Sequence, residues 1–165
     1  YAKNPKAAAS LSTSLQQGKI EKWYQAVICG KTVDNNGTYV DYLKQDKKNN
    51  CSRIVDKSDP DGKRAELEYK VLDCIQTEEK DPQYLSLVEI KLLTGRHHQI
   101  RVQFSGHGTP LYGDGKYGNN EKAVRKSLAL CACHLRFKHP VTGRIMDFQI
   151  KPDTGAFKLF SKNTS

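Results

Sequence analysis

A chain of 165 residues is long enough to bury one sizeable core, and 37% hydrophobic with 27% charged residues describes a globular rather than a disordered protein. No apolar run approaches the roughly 20 residues of a membrane span, and the opening YAKNPKAAAS lacks the apolar segment of a signal peptide. Lys and Arg outnumber Asp and Glu by 27 to 18, and the formal charge of +9 favours polyanionic partners, of which nucleic acid is the commonest.

Asn4-Pro5 reads as an N-cap with Pro at the first helical position. Ala8, Leu11 and Leu15 then recur at helical spacing until Gly18. Glu21 to Gly30 is rich in aromatic and β-branched residues and predicts a strand. Asn35-Asn36-Gly37 is a turn, followed by a short strand over Tyr39 to Leu43. Gln45 to Gly62 is a polar loop with a short strand at Ser52 to Val55. From Arg64 to Gln76, Leu67, Tyr69 and Val71 alternate with Glu66, Glu68 and Lys70, as in a half-buried strand. Tyr84 to Gly95 alternates again, so the two read as an antiparallel hairpin joined through EEKDPQ.

Arg96 to Phe104 predicts a short helix with Ile100 and Phe104 inward at i, i+4 spacing, ended by Gly106 and Gly108. NNEKAVRKSL predicts another short helix. LALCACHLRFKH and RIMDFQI predict strands joined by the turn HPVTG. The fold class expected is α+β, with a mainly antiparallel sheet and short flanking helices, in one domain over 1–165. The scattered cysteines 29, 51, 74, 131 and 133 suggest reduced core thiols in a cytosolic protein. Cys131 to His134 lacks a second Cys/His pair at ligand spacing, so no metal is expected. The sole Met is Met146, so a chain opening at Tyr1 is expected to lack an upstream portion.

The stretch Leu92 to Gly118 concentrates Arg, His, Gly and Tyr. A helix starting near Arg96 would point free N–H groups outward beside Arg96 and His97, a natural place for phosphate or carboxylate. Arg101 would share a face with His97 and His98, and could clamp a carboxylate through two hydrogen bonds. The residues alone equally allow Arg101 a structural ion pair and the His residues ordinary hydrogen bonds.

TGRHHQIRVQFSGHGTPLYGDGKYG closely resembles the signature of the RluA-like family of RNA pseudouridine synthases. IEKWYQAVICG is similar to that family's Lys-x-Tyr-x-Ala strand, ALCACHLRFKHPVTG to its end strand, and YAKNPKAAASLS to its first helix. The resemblance covers nearly the whole chain in order. It implies an enzyme without cofactor or metal that detaches uracil from ribose, rotates it and rejoins it through carbon, acting on a base flipped from its stack. The substrate would be ribosomal or transfer RNA, in the cytoplasm and away from membranes. The resemblance assigns Arg101 to orient the catalytic Asp, Tyr24 to stack on uracil, and Leu135 to wall the pocket. It assigns Arg96, His98 and Gln99 to brace the motif or meet RNA.

The family's Asp stands in a His-Arg-Leu-Asp stretch farther ahead of the Tyr than the 23 residues available before Tyr24. The chain would therefore be the larger, C-terminal portion of a catalytic domain, truncated on its N-terminal side, inactive alone and with Arg101 unpaired. Asp114 matches a turn position of the family instead. His97 stands where Ser or Thr is common, GHGTP where Gly-His-Pro is usual, and Cys131 where His is usual. A relative that only binds RNA is the alternative, and the upstream reading frame separates the two. His98-x-x-Arg101 also fits the box of a DNA-strand recombinase, but no Tyr follows Tyr117 to serve as nucleophile and the context is strand-rich.

Overall fold

The computed structural model describes residues 2–78, 82–118 and 126–163, with the side chains of 161–163 excepted. Helix α1 runs Pro5–Gln16, and Asn4 caps it by accepting from the Ala7 N–H at 2.8 Å. Its inward residues are Ala7 and, partly, Leu11; Ala8 is exposed and Leu15 is 50% exposed, which corrects the predicted stripe by one position.

Strands β1 Glu21–Cys29, β2 Asn36–Asp46, β3 Cys51–Val55, β4 Lys63–Gln76 and β5 Tyr84–Leu92 precede helix α2, Gln99–Gly106. Strands β6 Leu130–Lys138 and β7 Ile145–Gln149 follow, and a 3-10 helix over Gly155–Asn163 ends the fold. All pairings are antiparallel, in the order β3-β2-β4-β5-β1-β6-β7. This is the expected α+β class. β2 outruns its prediction at both ends because β3 and β4 pair along it and supply backbone partners even for its polar residues. The helix expected at NNEKAVRKSL falls largely outside the described residues. The 3-10 helix was not foreseen. Among the described residues no helix is long and apolar enough to cross a membrane.

The sheet has a core on each face, which explains why Ala26, Val27 and Ile28 of central β1 are all fully buried. On one face Ile100 and Phe104 of α2 pack on Ala26, Ile28, Leu67, Tyr69, Val88 and Ile90. On the other Phe157 and Phe160 of the 3-10 helix pack on Val27, Leu85 and Ala129.

A β-bulge lets long β4 serve both cores. Val71 pairs with Val88 but Asp73 with Leu87, so Leu72 is the extra residue and stays 42% exposed. Past that step the alternation inverts: Leu67 and Tyr69 face α2, whereas Ile75 joins the Phe157 side. Gly113, at φ +77°, is required where it stands, since a Cβ there would collide with the Ser127 carbonyl. The cysteines are all free thiols, but only Cys133 is buried and Cys74 is exposed, which corrects the core-thiol expectation.

Candidate active site

Tyr24 and Leu135 come together in a cleft of about 290 Å³, with Lys22, Ala132, Phe148 and Ile150 also in its lining. Three local facts build it. Tyr24 lies on the α2 face of β1, packed at the edge of that core. Its cross-strand partner is small Ala132, which leaves space beside the ring. A second bulge then intervenes, because Trp23 pairs with His134 while Tyr24 pairs with Ala132, making Cys133 the extra residue. Simple alternation would turn Leu135 away from Tyr24; the bulge brings it round to pair with Lys22, on Tyr24's face. Phe148 sits opposite Leu135 on β7 and extends the apolar wall. Burial pushes the Tyr24 hydroxyl up, so it stays protonated at neutral pH. Burial likewise pushes the Lys22 ammonium down.

The predicted helix start is corrected. His98 takes a left-handed backbone, φ +53°, and α2 begins only at Gln99. The Arg96 N–H is already taken at 2.9 Å by the Gln99 Oε1, which also accepts from the Thr94 hydroxyl. The Gln99 amide in turn donates to the Glu66 carbonyl of β4 at 3.0 Å. Buried Gln99 therefore braces the turn onto the sheet, and the expected N–H cradle at Arg96 does not form. Arg96 itself is exposed and anchors its Nε on the Arg64 carbonyl at 2.9 Å.

Arg101 is not unpaired. Its Nε and Nη2 donate to the Asp114 Oδ2 and Oδ1 at 2.8 and 2.7 Å. The Asp114 side chain is fully buried, and its Oδ1 also accepts the Lys116 and Tyr117 N–H groups, each at 3.0 Å. The structural ion pair allowed for Arg101 is thus the one observed, and neither residue lines the Tyr24 cleft. The signal for Asp114 was present in YGDGKYG, as the acceptor of a Gly-flanked turn; that α2 would deliver Arg101 to it was not readable.

His98 joins the same cluster. Its Nδ1 lies 2.9 Å from the Tyr117 hydroxyl, which accepts the Ser52 N–H at 2.9 Å. Burial first, then the neighbouring His97, Arg101 and Lys116, push the His98 imidazole down, so it is neutral and accepts from Tyr117. Tyr117→Phe is expected to cost about 1–3 kcal/mol, since the Ser52 N–H beneath it loses its acceptor. Urea unfolding checks this, and a variant as stable as the parent would contradict it.

His97 bonds Ser52 and Asn50 at 3.0 and 3.1 Å. It also borders a basic cleft of about 510 Å³ with Lys44, Lys47, Lys63, Gly95 and Arg96, which sequence reasoning missed because its lysines come from β2, the following loop and β4. Overall the structure unites Tyr24 with Leu135 and Arg96 with Gln99. It sets Arg101 and His98 in a separate cluster around Tyr117.

Comparison with known proteins places this geometry in context. A family model described as RNA pseudouridylate synthase matches residues 1–106. An uncharacterized RNA pseudouridine synthase, YlyB of Bacillus subtilis, is 37% identical over 148 residues, covering 90% of this chain and 46% of the relative. The ribosomal large subunit pseudouridine synthase D of Zymomonas mobilis is 33% identical over 155 residues, covering 89% and 46%. The chain thus spans about half the length of the curated relatives it matches. Human RNA pseudouridylate synthase domain containing 1 shares the fold at TM-score 0.76 and 24% identity, covering 92% of this chain and 62% of that one.

Proposed function

From the premise that this chain belongs to the RluA-like family of RNA pseudouridylate synthases, we propose that the protein isomerises uridine to pseudouridine in ribosomal or transfer RNA. The observation that carries the reading is the cleft in which the β6 bulge faces Leu135 toward Tyr24. An aromatic ring beside apolar walls holds one unstacked base. The reaction breaks the N1–C1′ bond, turns the uracil and forms C5–C1′, while the C5 proton leaves and N1 regains one. In this reading Tyr24 stacks on the uracil throughout and its neutral hydroxyl is a hydrogen-bond donor. Leu135 and Phe148 exclude water and let the base turn without polar anchors.

Arg101 acts through position. It fastens α2 to the turn carrying Asp114, and its Nη1 makes no hydrogen bond among the described residues, so it can donate to a further carboxylate. His98 and Gln99 hold the turn that presents Arg96 to RNA. No carboxylate among the described residues lines the Tyr24 cleft. The same reading puts the activity in the cytoplasm, without cofactor or metal.

The test uses the complete gene product and RNA carrying uridine tritiated at carbon 5. Release of tritium to water with pseudouridine in the digested RNA is the expected result. Tight RNA binding without tritium release would overturn it in favour of an RNA-binding module.

A further inference from the structure

We propose that three adjoining clefts form one track for the single-stranded RNA flanking the target uridine, running from Tyr24 past Lys22 and Arg96 to Lys63 and Lys47. This rests on the base-pocket reading above and adds a path for the backbone.

The clefts share walls. Lys22 borders both the Tyr24–Leu135 cleft and a second one of about 540 Å³, which runs between the end of α1 and the β5 end, with Leu15, Gly18, Lys91 and Thr94. Gly95 and Arg96 border that second cleft and also the basic one of about 510 Å³. The Lys22 ammonium is close against Gly95: a Cβ there would sit 3.5 Å from its Nζ. The track is therefore continuous along shared residues.

Its chemistry changes in one direction. The Tyr24 end is apolar, as a base requires, and the far end is basic, as a phosphodiester requires. A base seated on Tyr24 must leave its stack, which costs least where the strand is already unpaired, so a single-stranded flank is the occupant that this track fits.

The cations also differ in how far neighbours neutralise them. Lys44 is held by Asp59 and Asp61 at 3.2 and 2.8 Å, and Lys91 lies 3.8 Å from Glu21. Lys22, Arg96, Lys47 and Lys63 have no carboxylate partner among the described residues. These four, spaced along the track, are the charges available to phosphate.

The test compares two single-stranded RNA probes by fluorescence anisotropy with the complete gene product. The short probe holds the target uridine and its immediate neighbours; the long one extends on both sides. Lys47 and Lys63 are exposed and outside the base pocket, so K47Q/K63Q should fold normally. Lys151 and Lys158, exposed and lining none of the three clefts, give the control pair K151Q/K158Q.

K47Q/K63Q should weaken the long probe about tenfold at low salt and lower its salt slope by about 1.4, roughly 0.7 per lost phosphate contact. The short probe should not respond. Equal loss for both probes, equal loss in the control pair, or no loss overturns the track. A track that fails this way while tritium release persists leaves the base-pocket reading standing. Failure of tritium release with a length-dependent K47Q/K63Q effect overturns the enzyme reading alone.

Discussion

Asp114→Ala destabilises the fold by about 3–5 kcal/mol, the expected result of stripping one partner from a buried ion pair. For a chain of this size that corresponds to a fall in melting temperature of roughly 6–20 °C. The reason is local. The carboxylate is fully buried and satisfies Arg101 twice, together with the N–H groups of Lys116 and Tyr117. Without it Arg101, whose side chain is 18% exposed, keeps a charge that water only partly reaches.

Burial by itself would raise the Asp114 carboxyl. The Arg101 guanidinium and the two N–H groups outweigh burial and hold it below the usual carboxylate range. The sign of the pH effect follows. The folded state binds this proton less readily than the unfolded chain, so the stabilisation is complete above the unfolded value of about 3.9 and is lost as pH falls from there through the depressed folded value. Thermal melts from neutral to acid pH check both statements. The parent should lose stability across that acid window, and Asp114→Asn should show a shallower loss. Parallel curves would remove Asp114 as the cause.

Tyr24→Leu lowers the rate of pseudouridine formation by at least about 100-fold if the ring both holds the base and positions its proton donor. Tyr24 is only partly buried, so the variant should remain folded, and a melt alongside the assay separates the two effects. Tyr24→Phe divides the roles. A near-parental rate assigns the function to the ring face; a loss matching Tyr24→Leu assigns it to the hydroxyl. Since burial raises that hydroxyl, neither variant should remove a titration step between pH 6 and 9 (roughly the assayable range, below its ordinary value of about 10). A parental rate in Tyr24→Leu would take Tyr24 out of the site.

Much of the fold was legible because several strands alternate over the stretches between their bulges. Leu67 and Tyr69 against Glu66 and Glu68, or Val88 and Ile90 against Leu87 and Glu89, announce half-buried strands whatever they pair with. The inward pair Ile100 and Phe104 was equally plain. What failed to show were features decided by tertiary partners. No residue pattern marks Leu72 or Cys133 as surplus to its strand; only the neighbouring β5 and β1 make them so. His98 looks like a helical residue until Gln99 folds back onto Arg96 and Glu66 and sets the first turn three residues later. Likewise, Arg101 could be recognised as a clamp without revealing that the chain itself supplies the carboxylate. The site was therefore half readable: Tyr24 and Leu135 were named from their motifs, but their meeting depends on a register step that motifs do not encode.

That step at Cys133 gives the strand one residue more than its partner requires. Losing Cys133 would set Ala132, His134 and Leu135 opposite Tyr24, Trp23 and Lys22 in an unbroken ladder, with Leu135 still on the Tyr24 face. Losing His134 as well would bring Leu135 opposite Trp23 and turn it to the Phe157 side, and, with the β6–β7 register kept, Phe148 with it. Cys133 is thus a spare link in a chain, removable once without moving the pocket. A single deletion in this stretch should therefore be tolerated, and a double one should dismantle the apolar wall.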